Sequence, residues 1–489
     1  MLFNTIQFLI FFISVFSIIT VVKYRKFQHL FLLAASLFFF YYSSNYLIVL
    51  LIYSTVLDFY LGQAIWNTEN ISRKKILLII SLAGNLGLLG FFKYADFAIL
   101  QFNFLGNQLN LGTDIPFLNL ALPIGISFYT FQTISYTVDI YRGKLEPCKT
   151  LREFALFVSF FPQLVAGPIV RASVFLPQLR EKIANSAGNR LKLITIENSN
   201  LKLGVTLMAF GFLKKMFFAD NIAPLVDNIF NNPVGMESLT IILGAVAFGI
   251  QIYGDFSGYS DIAIGAALIL GFKLPLNFNK PYFATSPSDF WRRWHISLSS
   301  WLRDYLYIPL GGNKKSKGHT YFNLMTVMFL GGLWHGASWN FVIWGILHGA
   351  YLAIHKLILD RFPIFKNNSF LNSKIGKIIS ISITQYFVFL AWIPFRVHDF
   401  DQMIYSMHKF IFLDIQFSQF LDIVSANRFS VILIILFLLL HFISYRKTDI
   451  INKISKLELK YWMIILTTII LAILFFFDGN PEDFIYFKF

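Results

Sequence analysis

The chain has 489 residues, of which 56% are hydrophobic and only 14% are charged. A soluble globular protein carries about 25% charged residues, so this composition excludes an ordinary soluble domain and predicts an integral membrane protein. The formal net charge of +15 fits the positive-inside rule, by which Lys and Arg collect in cytoplasmic loops. Because the basic residues are scattered between apolar segments, nucleic-acid binding is not favoured.

The cysteine content and the missing motifs exclude several classes of protein. The single cysteine, Cys148, rules out an internal disulfide framework and a cysteine-based metal cluster. The sequence contains no Walker loop, dinucleotide fingerprint, HExxH, CxxC or GxSxG motif. We therefore expect no bound metal and no resident cofactor.

Long apolar segments predict an all-α polytopic membrane protein with about ten to twelve transmembrane helices, because each crossing needs roughly 20 apolar residues. The first segment, Thr5 to Val22, precedes a basic cluster from Lys23 to Lys26. This order predicts a retained helix with the N-terminus outside. Further helices are predicted near 30–44, 46–66, 76–95, 121–140, 203–219, 320–338, 340–356, 376–395, 430–445 and 461–477.

Other segments do not fit a regular crossing. Proline and glycine interrupt Phe154 to Val170, which predicts a re-entrant segment. The region 238–272 is predicted to be two short spans, or a span plus a re-entrant segment, broken around Gly254, Asp255 and Gly258. We expect an outer loop or a partly embedded segment at 96–120, polar cytoplasmic loops at 171–203 and 273–319, and an acidic tail outside at Asp478, Glu482 and Asp483. No soluble domain or tandem repeat is evident, so residues 1–489 are predicted to form a single polytopic domain.

The segment from Ser286 to Leu310, SPSDFWRRWHISLSSWLRDYLYIPL, predicts an interfacial amphipathic helix. Ser288 is its candidate N-cap, and Asp289 suits the positive end of the helix dipole. Apolar residues recur every three or four positions, at Trp291, Trp294, Leu298, Trp301, Leu302 and Tyr305. Two interpretations remain open: anchoring at the membrane surface, or closure of the cytoplasmic mouth of a site whose Arg residues meet an anionic donor.

The stretch LGGLWHGASWNFVIWGILHGAY, from Leu330 to Tyr351, places His335 and His348 in a run without Asp, Glu, Lys or Arg. An ionisable side chain at membrane depth indicates function unless it is simply paired between helices. In a continuous helix the two histidines would be separated by about 1300° of rotation and roughly 20 Å of rise. They would not share a face, so we predict a chemical role for His335 and a structural or supporting role for His348.

Two carboxylates lie in the segment YGDFSGYSDIAIG. Asp255 and Asp261 are predicted to brace a helix break, or alternatively to couple ions or protons in a transporter.

Five stretches in this order resemble the membrane-bound O-acyltransferase (MBOAT) family. They are LPIGISFYTFQTISYTVDIYRG at 122–143, FFPQLVAGPIVR at 160–171, YGDFSGYSDIAIG at 253–265, PYFATSPSDFWRRWHISLSSWLRDYLYIPLGGN at 281–313 and LGGLWHGASWNFVIWGILHG at 330–349, with a weaker match, WIPFR, at 392–396. The resemblance covers 120–400 as a family core, with N-terminal spans in 1–119 and C-terminal spans in 401–489. It is greatest to bacterial alginate and peptidoglycan O-acetyltransferases, and more distant to the teichoic-acid D-alanylation protein.

The resemblance implies acyl transfer from a cytoplasmic thioester toward a hydroxyl acceptor outside. It implies a fold around a central tunnel, His335 as the catalytic histidine and His295 as a second family-typical position, with Arg292, Arg293, Trp334 and Asp304 binding substrate. In this hypothesis neutral His335 is the general base and His295, or a nearby donor, steadies the oxyanion.

The implied donor is acetyl-CoA or an acyl-carrier protein thioester, used as substrate. The implied partners are membrane lipid, an exported acetyltransferase and a polysaccharide acceptor, and the implied location is the bacterial inner membrane. The acceptor itself stays open among an exopolysaccharide, a wall polymer and a residue on the exported partner. Two other functions stay open from the residues alone. One is a transporter or flippase for an acyl or glycan intermediate, with Asp255, Asp261 and His335 along its path, and the other is a non-catalytic scaffold.

Overall fold

The computed structural model describes the whole chain except residues 113, 124, 165–166, 186–192, 195, 366–367, 415, 448, 478–481, 483 and 488–489. Among the described residues there are α-helices, short 3-10 and π-helical segments, and no strand. The chain divides into two compact units, one comprising 1–205 with 262–275 and the other 206–261 with 276–489. The prediction of one polytopic domain stays a prediction.

The N-terminal part of the chain is built from α-helices that closely follow the apolar segments. They are α1 (Ile6–Val21), α2 (Arg25–Ser44), α3 (Ile48–Asn67), α4 (Ile71–Gln108), α5 (Ile126–Tyr141), α6 (Leu151–Ser159), α7 (Phe161–Leu164) and α8 (Ala172–Asn185). The prediction of a loop beginning at residue 96 was wrong, because α4 continues to Gln108. The prediction of 171–203 as a loop was also wrong over α8.

The remaining helices run from α9 to α22. They are α9 (Asn198–Phe212), α10 (Asp220–Phe230), α11 (Ser238–Ile269), α12 (Pro287–Arg293), α13 (Ile296–Leu302), α14 (Lys317–His335), α15 (Trp339–Arg361), α16 (Ser369–Asn372), α17 (Lys374–Arg396), α18 (Phe400–Ile411), α19 (Ser418–Ala426), α20 (Arg428–Arg446), α21 (Ile450–Ser455) and α22 (Leu459–Phe476). A π-helical segment, Leu213–Ala219, joins α9 to α10, and another, Arg303–Tyr307, follows α13.

The predicted break near Gly254 was wrong, because α11 is one helix of 32 residues. The glycines serve close packing instead of a bend. A Cβ atom on Gly258 would lie 2.7 Å from the carbonyl oxygen of Gly211, so only glycine allows this approach.

Seven segments of the described chain are long and apolar enough to cross a membrane. They are Arg25–Asn67, Ile71–Gln108, Ser238–Ile269, Trp339–Arg361, Lys374–Arg396, Arg428–Arg446 and Leu459–Phe476. The first includes both α2 and α3, and the 16-residue apolar α1 is shorter than these segments. The protein is thus an all-α, multi-pass membrane protein, whereas the count of ten to twelve spans, the re-entrant path and the central tunnel stay predictions.

The outer face of α22 illustrates what the membrane must cover. Its buried residues, Trp462, Leu466, Ile469 and Ile473, recur every three or four positions and form one stripe. The opposite side is also apolar, and Phe475 there is 82% exposed. A helix that is apolar on its exposed side is suited to lipid contact.

In the first unit, α3, α4 and α5 pack around a polar group that we call the Asp58 cluster: Asp58, Ser81, Asn85, Thr133 and Thr137. The Asp58 carboxylate accepts hydrogen bonds from Ser81 Oγ at 2.6 Å and from Asn85 Nδ2 at 2.8 Å. Thr133 donates to Asn85 Oδ1 at 3.3 Å, and Thr137 Oγ1 lies 3.0 Å from Ser81 Oγ. Every member is hydrogen-bonded, which makes a buried polar cluster tolerable in an apolar region.

Cys148 lies in the connection between α5 and α6 and is fully buried. Its backbone N–H donates to the Tyr136 hydroxyl at 2.9 Å. Burial raises the pKa of the Cys148 thiol to about 12, so the thiol stays protonated and unreactive near neutral pH.

Candidate active site

His295 occupies a break between two short helices. Ser286, not the predicted Ser288, caps α12, its Oγ accepting from the Asp289 N–H at 3.1 Å. The chain leaves the helical conformation at Trp294, and His295 adopts a left-handed conformation with φ 43° before α13 begins. The prediction of one continuous amphipathic helix was therefore wrong, and the break leaves His295 fully buried.

A hydrogen-bond network around Asn277 fixes the orientation of His295. Asn277 Nδ2 donates to Ser260 Oγ at 3.1 Å, and the other amide atom faces the Ser297 backbone N–H, which can only donate, so that atom is the amide oxygen. That oxygen accepts from Ser297 N at 3.2 Å and Ser297 Oγ at 2.8 Å. It also lies 3.2 Å from His295 Nδ1.

Because Asn277 Oδ1 can only accept, His295 Nδ1 must carry the proton in this contact. Burial lowers the pKa of His295 to about 3, so the ring is neutral near pH 7 and its lone pair is on Nε2. Nε2 is buried and has no hydrogen-bond partner among the described residues. His295 therefore presents a buried acceptor atom that is available to a ligand.

His335 is the last residue of α14 and is only 4% exposed. Aromatic rings enclose it: Trp344 at 4.8 Å between ring centroids, Trp334 at 4.9 Å, Phe395 at 5.2 Å and Tyr486 at 5.4 Å. These rings surround His335 with apolar or weakly polar side chains.

Small residues bring α14 and α15 close enough to build the enclosure. A Cβ atom on Gly332 would lie 2.3 Å from the Phe341 carbonyl oxygen, and one on Gly345 would lie 2.4 Å from the Met328 carbonyl oxygen. Neither backbone oxygen can yield without separating the helices. Glycine at these two positions therefore allows the close packing of α14 and α15.

His295 and His335 share neighbours. The Trp334 ring contacts both, at 6.1 Å from the His295 ring and 4.9 Å from the His335 ring. Phe256 and Tyr486 provide a second connection, because Phe256 lies 4.7 Å from His295 and 4.8 Å from Tyr486. The structure thus brings together the two histidines that sequence places 40 residues apart.

His348 also contacts Trp344, at 4.7 Å between ring centroids. It packs against Phe290 and Trp291 of α12 and is 1% exposed. Since α14 ends at His335 and α15 begins at Trp339, the two histidines belong to different helices.

The other predicted site residues differ in their surroundings. Trp334 lies within the site. Arg292 is exposed at the end of α12, whereas Arg293 pairs with Asp289 at 2.9 Å. Asp304 pairs with Arg303 at 2.6 Å. Substrate binding by these four residues stays a prediction.

Tyr486 and Phe395 both contact His335, and neither was predicted to be a site residue. Phe395 was noted from the sequence only within the weak match WIPFR. Tyr486 belongs to the C-terminal 3-10 segment Ile485–Phe487, which the sequence placed in an acidic tail outside. The available signal was the apolar run after Glu482, which a solvated tail does not require. The acidic residues predicted beside it, Asp478 and Asp483, lie outside the described residues.

Lysines of the α9–α10 junction neutralise the two carboxylates of α11. Lys214 Nζ lies 2.5 Å from Asp261, and Lys215 Nζ lies 3.0 Å from Asp255 and 2.8 Å from Asp220. Asp255 also accepts the Ile485 backbone N–H at 2.7 Å. Both carboxylates brace the structure, although not at a helix break as predicted, and Asp255 holds the C-terminal segment beside His335.

Fold and site together define a multi-pass membrane protein with two buried histidines that share an aromatic enclosure. The model of MBOAT, the membrane-bound O-acyltransferase family, matches residues 150–393. The chain is 36% identical over 430 residues to the peptidoglycan O-acetyltransferase of Helicobacter pylori, covering 82% of this chain and 78% of that protein. It is 37% identical over 418 residues to the Pseudomonas aeruginosa protein named "Probable alginate O-acetylase AlgI", covering 84% and 75%.

A more distant relative is the teichoic acid D-alanyltransferase of Streptococcus thermophilus, at 30% identity over 245 residues, 49% of this chain and 58% of that protein. The chain belongs to the membrane-bound O-acyltransferase family. It is an O-acyltransferase, which confirms the enzyme interpretation.

Proposed function

We propose that this protein moves an acetyl group from a cytoplasmic thioester, acetyl-CoA or an acyl-carrier thioester, to the hydroxyl of an extracytoplasmic polysaccharide or cell-wall polymer. An exported transferase acts as its partner, and the location is a bacterial inner membrane with the N-terminus outside. The observation that carries the proposal is the shared enclosure of His295 and His335. The names of the relatives, which include acylation of alginate, peptidoglycan and teichoic acid, support a polymer as the final acceptor.

In the proposed reaction, His335 takes the proton from the acceptor hydroxyl as its oxygen attacks the thioester carbonyl carbon. The carbon–sulfur bond then breaks, and the leaving thiolate receives that proton from His335. General base catalysis of this kind contributes about 10²–10⁴-fold to the rate.

The His295 tautomer favours a different role from the oxyanion donor that we expected. With its proton on Nδ1, neutral His295 presents an acceptor at Nε2, and an acceptor does not stabilise an oxyanion. His295 therefore orients a donor group of the substrate or accepts its proton, and another N–H group stabilises the oxyanion.

The test uses the full-length protein in lipid nanodiscs with acetyl-labelled CoA. His335→Ala should abolish acetyl transfer and thioester hydrolysis while the protein remains folded. His319→Ala is the matched control, because His319 lies at the other end of the same helix. Equal turnover in wild type and His335→Ala would contradict the assignment.

A further inference from the structure

A polar cavity of about 280 Å³ lies next to the enclosure of His335. We call it the polar cavity. Its wall combines carboxylates, cations and amides with Phe248, and its polar members include Lys215, Asp220, Gln251, Asp255, Arg396 and Glu482. Such a mixture of donors and acceptors beside one aromatic ring is suited to a hydroxylated ligand.

One layer of side chains separates the polar cavity from His335. The Phe248 ring lies 6.5 Å from the Phe395 ring, which lies 5.2 Å from His335. Ile485 also lines the cavity and directly precedes Tyr486, whose ring is 5.4 Å from His335. A ligand in this cavity would therefore be close to the proposed general base.

Two acceptor atoms of the cavity residues lack partners within the described part of the chain. They are Gln251 Oε1 and Asp220 Oδ2, both shielded from solvent. A buried acceptor without a donor costs about 1–3 kcal/mol. Hydroxyl groups are donors of the kind that these two atoms could accept.

The charges of the wall select against an anion. Asp220, Asp227, Asp255 and Glu482 carry four negative charges when ionised, and Lys215 and Arg396 carry two positive charges. Burial raises the pKa of Asp220 to about 7, so with His398 neutral the side chains sum to −2 above that pH and to −1 below it. Arg396 is already paired with Asp227 at 2.7 Å and bonded to Asn231 at 3.0 Å. A carboxylate entering this cavity would meet excess negative charge.

We propose that the polar cavity binds a neutral sugar ring and excludes a uronate. This inference rests on the proposed function and names the acceptor class for that site. The sugar's hydroxyls donate to Gln251 and Asp220, and the apolar face of the ring packs on Phe248.

The test measures binding to the full-length protein in nanodiscs without any donor. Methyl β-D-glucopyranoside and methyl β-D-glucopyranosiduronate differ only in a carboxylate for a hydroxymethyl group, and saturation-transfer NMR titration gives both dissociation constants. The neutral glycoside should bind at least about tenfold more tightly. Gln251→Leu should weaken its binding about tenfold, the value of roughly one hydrogen bond to a buried acceptor.

Two further variants make the outcome specific. Gln385→Leu is the control, because Gln385 is also buried without a partner among the described residues but does not line the cavity, and it should leave the dissociation constant unchanged. Asp220→Asn should reduce the discrimination against the glucuronide by removing one negative charge.

Equal or tighter binding of the glucuronide, no saturable binding of the glucoside, or an unaltered constant in Gln251→Leu would overturn the inference. If a serine amide bound more tightly than the glucoside, the ligand of the polar cavity would be a protein side chain and the sugar inference would be overturned. His335→Ala should not alter glucoside binding. The binding titration therefore tests this inference, and the turnover assay separately tests the proposed function, so the two failures are distinguishable.

Discussion

The Asp58 cluster and the histidine site are both buried polar assemblies in an apolar chain, but their polar atoms are used differently. In the Asp58 cluster each side chain has a partner, and the carboxylate accepts from both Ser81 and Asn85. In the histidine site His295 uses only Nδ1, and its Nε2 has no partner among the described residues. A fully paired cluster stabilises packing, whereas a buried acceptor held by a paired atom is ready for a ligand.

The largest expected effect is a loss of acetyl transfer when the histidine site is altered. His295→Asn keeps a residue that tolerates left-handed backbone and a donor toward Asn277, but it removes the Nε2 acceptor. We expect acetyl transfer to fall about 10²–10⁴-fold with little change in the melting temperature. The control is His348→Gln, which should keep at least a third of the wild-type turnover. Comparable losses of turnover in the two variants would show that His295 has no special role in catalysis relative to His348.

The reverse effect is expected in the Asp58 cluster. Asp58→Ala removes the acceptor that Ser81 and Asn85 share. The Ser81 hydroxyl can donate to Thr137 instead, but one N–H of Asn85 loses its acceptor, at a cost of about 1–3 kcal/mol. Thermal unfolding in nanodiscs should show the loss, while turnover per folded molecule should stay within about twofold. Ser54→Ala in the same helix removes a hydroxyl that lacks a partner among the described residues, so it should cost far less, and a large kcat effect of Asp58→Ala would argue against a purely structural role.

A pH profile sharpens the comparison at the residue that positions His295. Because burial lowers the pKa of His295 to about 3, the wild-type rate should show no loss from this group between about pH 5 and 8. Asn277→Asp places a carboxylate at Nδ1, which favours the imidazolium and raises the pKa. Activity should then fall on the acid side and recover as pH rises.

Asn277→Ala, which removes the orienting acceptor, should lower kcat by about tenfold at every pH, in line with the loss of one hydrogen bond. An acid limb identical to that of the wild type in Asn277→Asp would show that Asn277 does not act through His295.

The smallest effect is expected at the exposed edge of the site. Arg292→Gln should raise the KM for acetyl-CoA by about 3–10-fold, because a charge-assisted hydrogen bond to a phosphate is lost. Arg293→Gln should have a smaller effect, since Arg293 is already paired with Asp289. The Arg292 effect should diminish at high ionic strength, and a KM that is independent of Arg292 would remove this residue from the donor site.

Periodicity and hydropathy predicted most helices, including the pair that holds His335, because a membrane span is encoded locally in about 20 residues. The break at His295 was not predicted, since the aromatic spacing from Trp291 to Tyr305 fits a continuous helix and the left-handed residue depends on the bonds from Asn277. Gly254 and Gly258 were misread as a break because glycine supports close packing as well as bending.

The sequence also placed His295 and His335 in one site through the family resemblance, and the structure shows their shared contact with Trp334. It did not place Tyr486 there. That position depends on Asp255 receiving the Ile485 N–H, a contact across 230 residues that no local pattern contains.

Cys148 gives the chain a practical property. Its thiol is the only one in the sequence, and it is fully buried and protonated near neutral pH. Maleimide reagents should therefore not react with it, so the native protein can be used in labelling experiments as if it had no cysteine. Single cysteines introduced at exposed positions such as Glu69, Asn313 or Lys447 can then be tested in intact cells with maleimides that cross the membrane and with maleimides that do not. Such labelling would map the sidedness of each loop without altering any residue of the site.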